Sequence, residues 1–182
     1  MLYLLFFLTL AQIRATVPSE PVTPAWNKGI QAINQENYWN AVECGKQGGA
    51  RPPCVFYDAD LCKNPDFTLA LFTPYKLVAH EVWQAAQKKQ PVPATSFGAA
   101  QRTRITIGVT PAKGSKNPIA ALTIKRAGKV IQPSTQSVDA TGGRFIFDFA
   151  PFAPTTGITL EMAGKAATRT CVIDRDVLAT LR

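Results

Sequence analysis

The chain has 182 residues, 46% of them hydrophobic and 18% charged, with 20 Lys and Arg against 12 Asp and Glu and a formal net charge of +8. That length suits one domain with a sizeable core, burying roughly 70% of the surface its unfolded chain exposes. The basic residues are scattered: Lys88-Lys89, Arg102/Arg104 and Lys125-Arg126 are the densest groups and none makes a run of five or six, which reads as a solvated basic surface, with a polyanion or acidic-membrane contact as the alternative.

In chain order, Leu2–Leu10 (LYLLFFLTL) is an apolar run of signal-peptide length, too short for a helix that spans a bilayer, which needs roughly 20 residues. Ala15 supplies the small residue at a cleavage point, although Met1–Tyr3 carries no Lys or Arg. Residues 1–15 are therefore expected to be a cleaved signal, with an uncleaved anchor as the alternative. The expected location is secreted, periplasmic or cell surface, with no integral span after cleavage. No cysteine follows at a spacing suited to lipid attachment.

Residues 16–25 (TVPSEPVTPA) hold three prolines and read as an extended arm. Residues 26–64 read as a helical, cysteine-bearing extension. Trp26, Ile30, Ile33, Ala41 and Val42 approximate one helical face, and Gly48-Gly49 is a stop signal. From Phe67 the pattern becomes that of strands. FTLALFT is a short β-rich run ending before Pro74. KLVAHEVWQAAQKK alternates Leu77, Ala79, Glu81 and Trp83 against Val78, His80 and Val82, and is read as a strand, with a helix as the alternative. QRTRITIGVTP alternates cleanly, with Arg102, Arg104 and Thr106 on one face and Ile105, Ile107 and Val109 on the other. Hairpins are expected at Arg126-Ala127-Gly128 and at Ala163-Gly164, and RFIFDFAPF adds another strand. DRDVLATLR closes as a short helix with Asp174 as its cap.

Seven or eight strands with frequent turns predict a mainly β fold, an antiparallel sandwich over residues 67–182 packed with the disulfide-stapled extension. Over residues 67–173 this architecture resembles the immunoglobulin-like and fibronectin-type sandwiches of secreted proteins. It departs from antibody-type domains, because no cysteine pair flanks a tryptophan at their spacing. Such sandwiches host many functions, so the resemblance implies a fold and an extracellular setting only.

Four cysteines stand at 44, 54, 62 and 171, with no CxxC, and the chain has one histidine, His80. Zinc sites and thioredoxin-like redox pairs need closer spacing. Two disulfides in an exported chain fit better. Sequence leaves the pairing open: Cys44–Cys54 with Cys62–Cys171 is favoured, and Cys54–Cys62 with Cys44–Cys171 follows. Asp58 and Asp60, in DADLCKNPD, are candidate hard-cation ligands, but Pro65 and the missing closing Glu break the EF-hand pattern. Turn and cap duty is the plainer role for them.

On a strand Glu81 would face away from His80, and no GxSxG is present, which removes the usual hydrolytic triads. Tyr38, Trp39, Tyr57, Tyr75 and Trp83 offer a sugar- or peptide-stacking platform as one reading, but Trp39 and Trp83 are expected in the core. Tyr57 and Tyr75 are expected at the surface, with Arg102 and Arg104 as further binding candidates on what could be an exposed edge strand.

The function expected from these features is an exported, non-enzymatic binding or interaction module for a protein or glycan, needing no cofactor and not serving nucleic acid. The alternatives are a secreted carbohydrate-active enzyme or accessory protein using a carboxylate pair, or a secreted inhibitor or structural surface component acting through loops such as 50–53.

Overall fold

In the computed structural model the described residues are 29–92, 97–100 and 104–182. The expected signal (1–15), the arm (16–25), Trp26 and Arg102 lie outside them. The first helix, α1 (Gln35–Lys46), starts where the Asn34 side chain accepts the Asn37 N–H at 2.7 Å, so an otherwise orphaned donor of the first turn is satisfied. It stops before Gly48 and Gly49, both at positive φ, a backbone region open to glycine without a Cβ penalty. A disulfide between Cys44 and Cys54 ties α1 to the single turn of α2 (Pro53–Phe56). Closing a loop of ten positions stabilises by about 3 kcal/mol in the chain-entropy view.

Strand β1 (Phe67–Phe72) leads directly into helix α3 (Pro74–Gln87). This segment was expected to be a strand, and the structure overturns that. Thr73 accepts the Lys76 N–H through its hydroxyl and Pro74 occupies the first turn, a helix start. The side chains that sink inward are Tyr75, Val78, Ala79, Val82 and Ala85, spaced three or four apart along one face. The alternation of apolar and polar residues was incidental to a helix that buries a wide stripe. With α1, α2 and the short α4 (Phe97–Ala100), α3 encloses a small core of Ile33, Ala41, Val42, Val55, Val78 and Val82. Gly45 permits the contact between α1 and α3, because a Cβ there would lie 2.5 Å from the Ala79 carbonyl oxygen and 2.6 Å from the Val82 Cβ.

The remaining strands are β2 (Arg104–Pro111), β3 (Ile119–Arg126), β4 (Lys129–Ile131), β5 (Thr135–Asp139), β6 (Gly142–Asp148), β7 (Ile158–Gly164) and β8 (Thr168–Ile173), followed by helix α5 (Arg175–Thr180). They form two four-stranded antiparallel sheets, ordered β1-β2-β6-β5 and β4-β3-β7-β8. In the first, Leu71 lies opposite Ile107, which lies opposite Phe145. In the second, Leu122 faces Met162 and Ile124 faces Leu160. These residues share one core with Phe67, Phe152, Ile158, Leu178 and Leu181, each fully buried large side chain contributing about 1.5–3 kcal/mol relative to exposure. Strand β2 is flanked on both sides, so it is not the edge strand that its arginines suggested. Ala127 and Gly128, both at positive φ, form the two-residue turn between β3 and β4, as a tight hairpin requires.

Polar side chains fix the ends of the sheets. Buried Asn117 donates to Asp66 Oδ2 at 3.1 Å and to the Ala167 carbonyl at 2.9 Å, while its own oxygen accepts the Ala166 N–H at 2.8 Å. Arg169 donates to the same Asp66 oxygen at 2.6 Å, and the two donors hold the Asp66 carboxyl below its ordinary range. Lys125 pairs with Glu161 at 3.0 Å, and Arg126 donates to the Ala150 and Ala153 carbonyls. The basic pair Lys125-Arg126 is thus engaged within the fold.

Replacing Gly45 by Ala is expected to destabilise the protein by about 1–3 kcal/mol, the usual cost of overpacking a close contact. Urea denaturation measures it, and an unchanged midpoint would show that α1 and α3 can separate freely at this position.

Candidate functional site

Two polar residues lie almost fully buried where β1 hands over to α3. Asp58 is 1% exposed and Lys76 3%. One Asp58 oxygen accepts the Leu71 N–H at 2.5 Å, and the other holds the Lys76 ammonium. That ammonium also faces the rings of Phe72 at 5.4 Å and Tyr57 at 5.7 Å, a second source of attraction for a desolvated cation. Burial pulls the Lys76 pKa down, and the Asp58 carboxylate works against that pull. The Tyr57 hydroxyl donates to the Arg182 carbonyl at 2.6 Å and meets the Thr73 hydroxyl at 3.0 Å. Burial drives that phenol far above its ordinary range.

Directly outside the ion pair, α2, the end of β1 and one face of α3 bring together Phe56, Phe72, His80 and Trp83, all half-buried. Phe56 stands edge-on to Trp83 at 5.0 Å and Phe72 edge-on to His80 at 5.9 Å, with His80 and Trp83 5.5 Å apart. The exposed Arg51 lies 5.5 Å over the Phe56 ring. The indole N–H of Trp83 donates to the Gly49 carbonyl at 3.0 Å, and Gln87 donates to the same oxygen at 2.9 Å, so the ring is held in one orientation. His80 has its pKa lowered first by burial and then by the Lys76 ammonium, against weaker opposition from Glu81 and Asp58. A second aromatic group sits on α1, where Tyr38 is edge-on to Trp39 at 5.2 Å and to Phe97 at 5.9 Å. Trp39 is 55% exposed, contrary to its expected place in the core.

No protein-family model matches the chain, and neither does any curated protein or solved structure at a significant level.

The predicted site residues separate into different places. Asp58 has both oxygens engaged, one by the Leu71 N–H and the other by the Lys76 ammonium. Asp60 is exposed, 3.5 Å from Lys63. Tyr75, expected at the surface, is 8% exposed, with its hydroxyl 3.4 Å from the Asn40 carbonyl and its ring under the Arg182 guanidinium. Tyr57 likewise turns its hydroxyl inward. Arg104 is exposed at the start of β2, across from Asp148. Of the two expected disulfides the structure forms Cys44–Cys54, whereas Cys62 and Cys171, expected to make the second, are free thiols beside each other. Sequence reasoning missed Phe56, Phe72 and Lys76 as partners. The Thr73-Pro74 helix start was the available signal, since a helix from Pro74 puts Lys76, His80 and Trp83 on one face.

Chemically, the arrangement offers ring faces and one cation rather than converging acids. Asp66 sits against Arg169, Glu161 against Lys125, Asp176 against Arg175 and Asp60 against Lys63, and no cluster of three metal-binding side chains occurs among the described residues.

Removing one partner of the buried pair, by Asp58→Ala or Lys76→Met, is expected to cost about 3–5 kcal/mol. The Asp58→Ala/Lys76→Met double variant should cost less than the sum of the two single losses, as urea denaturation of all three will show. Fully additive losses would mean the two groups do not act as a pair. A second expectation concerns pH. The folded state resists protonating His80, so stability is complete above the ordinary histidine value of about 6.5 and is lost as pH falls below it. The urea midpoint should drop between pH 7 and 5.5, and His80→Phe should flatten that drop. Parallel curves for the two proteins would remove His80 as the cause.

Proposed function

We propose that this protein is an exported, non-enzymatic binding module in which an immunoglobulin-like sandwich supports a helical face that recognises a protein or glycan. The observation that carries the reading is Trp39. A tryptophan held more than half in water, on a helix whose other side buries Ala41, Val42 and Cys44, is the kind of side chain that dominates binding energy when a partner covers it. Tyr38, itself edge-on to Phe97, stands edge-on to Trp39 on one side, which reduces the freedom the indole has to lose on contact. The ring faces suit stacking against a sugar or an apolar peptide side chain. Export is supported by the Cys44–Cys54 disulfide, since such bonds persist in oxidising compartments.

The carboxylate-pair hydrolase reading draws less support, because so many of the acids are engaged with lysine or arginine. The reading of a structural or inhibitory surface protein rests on loops alone. Residues 50–53 contribute Arg51 to the Phe56 ring, which makes that loop part of the aromatic surface rather than a separate device.

Labelled protein applied to arrays of defined oligosaccharides and of extended peptides tests the proposal. Binding should weaken by about tenfold or more in Trp39→Ala, with the thermal midpoint unchanged. Hits indifferent to Trp39→Ala would reject this face, and absence of hits on both arrays would reject the module reading.

A further inference from the structure

Cys62 and Cys171 differ in ways that suit successive steps of one reaction. Cys62, in the loop before β1, is half-buried and lines a surface depression of about 470 Å³ together with Ala59, Lys63, Asn64, Pro65, Phe67 and Thr68. Cys171, in β8 opposite Leu160, is 6% exposed and belongs to the main core. Its sulfur lies 3.4 Å from the Leu61 carbonyl oxygen and against the Cys62 sulfur, so its one S–H can turn to either. The loop is held in register with β8 by other groups as well. Asp66 is bound to Arg169, two positions from Cys171, and the Asn64 oxygen accepts the N–H groups of Asp66 and Phe67 at 3.0 and 2.7 Å. The two sulfurs are therefore presented to each other by a fixed frame.

We propose that Cys62 is an S-thiolation site for a low-molecular-weight disulfide, and that Cys171 resolves the adduct to an internal Cys62–Cys171 disulfide. In the first step the Cys62 thiolate attacks one sulfur of the small disulfide. A mixed disulfide forms, the small S–S bond breaks, and one small thiol leaves after taking up a proton. In the second step Cys171 gives up its proton and its sulfur attacks the Cys62 sulfur, expelling the second small thiol. The two protein thiols are oxidised and the one small disulfide is reduced to two thiols, so the electrons balance.

The electrostatics run in the same direction. The Cys171 thiol and the Asn64 amide, 3.8 Å away, stabilise the Cys62 thiolate and hold its pKa at about 7, so a large fraction is nucleophilic at neutral pH. The Cys62 sulfur and burial push the Cys171 thiol up. The first of these effects ends once Cys62 is bonded to the small molecule, which frees Cys171 to act second. The depression beside Cys62 gives the small disulfide room to approach, whereas Cys171 is buried and does not line it.

The test uses glutathione disulfide on the folded wild type, Cys62→Ser and Cys171→Ser, all with Cys44–Cys54 intact, read by non-reducing peptide mass spectrometry after an acid quench. Cys171→Ser should keep one glutathione on Cys62, Cys62→Ser should stay unmodified, and the wild type should lose two hydrogens and retain no glutathione. Modification of Cys171 in Cys62→Ser at the rate seen for Cys62, a lasting adduct on the wild type, or an inert Cys62 would each overturn the proposal. Should near-ultraviolet circular dichroism show either variant unfolded, the order of iodoacetamide alkylation in the native wild type decides. Cys62 should react at least about tenfold faster than Cys171, and equal or reversed rates would reject the assignment.

Discussion

The ion pair between Asp58 and Lys76 is the constraint around which the rest of the structure is arranged. It lies between two apolar clusters, one enclosed by α1–α4 and the other by the two sheets, at the point where the chain passes from β1 into α3. Removing both charges from water is costly, and the arrangement offsets part of that cost by pairing the two charges and giving each further polar or ring contacts. Asp58 takes a strand N–H as well as the ammonium, and the ammonium faces two rings. A pair of this kind gives little net stability over apolar residues of the same shape. Its effect here is on geometry: it fixes the loop after α2 against the last turn of β1 and the first turn of α3.

That geometry places the aromatic surface. Phe56 comes from α2, Phe72 from the end of β1, and His80 and Trp83 from α3, and all three elements are anchored within a few residues of Asp58 or Lys76. Trp39 reaches the surface by a separate route, through α1 and the close α1–α3 contact at Gly45. The helical face is thus held by one disulfide, one buried ion pair and one glycine, while the sheets supply the larger apolar core.

The cysteines divide between the same two regions. Cys44–Cys54 braces the helices beneath the aromatic surface. Cys62 and Cys171 meet at the opposite end of β1 from Thr73, beside the Asp66–Arg169 ion pair and Asn117. Ion pairing and side-chain hydrogen bonds align that junction.

The strands β2, β3, β6 and β7 were legible because period-two alternation maps directly onto burial, as at Ile105, Ile107 and Val109. Strand β5 was not, since it is exposed along its whole length and carries no apolar pattern. Helix α3 was misread because its wide buried stripe covers so many positions that any second residue looks apolar, and the weight of β-branched residues outran the Thr-Pro start. Asp58 was picked out for its chemistry, but its partner was invisible, because Lys76 lies eighteen positions away.

The amino-acid sequence by itself determined the mainly β composition and the hairpin turns, and it favoured without deciding Cys44–Cys54 as a staple, all properties of residues close together in the chain or of a local period. Tertiary structure alone decided which tyrosines are buried, which tryptophan is exposed, that β2 is flanked on both sides, and that Asp58 meets the Lys76 ammonium. Those outcomes depend on which distant surfaces exclude water from a given side chain, and solvent exclusion is a property of the packed chain rather than of any segment within it.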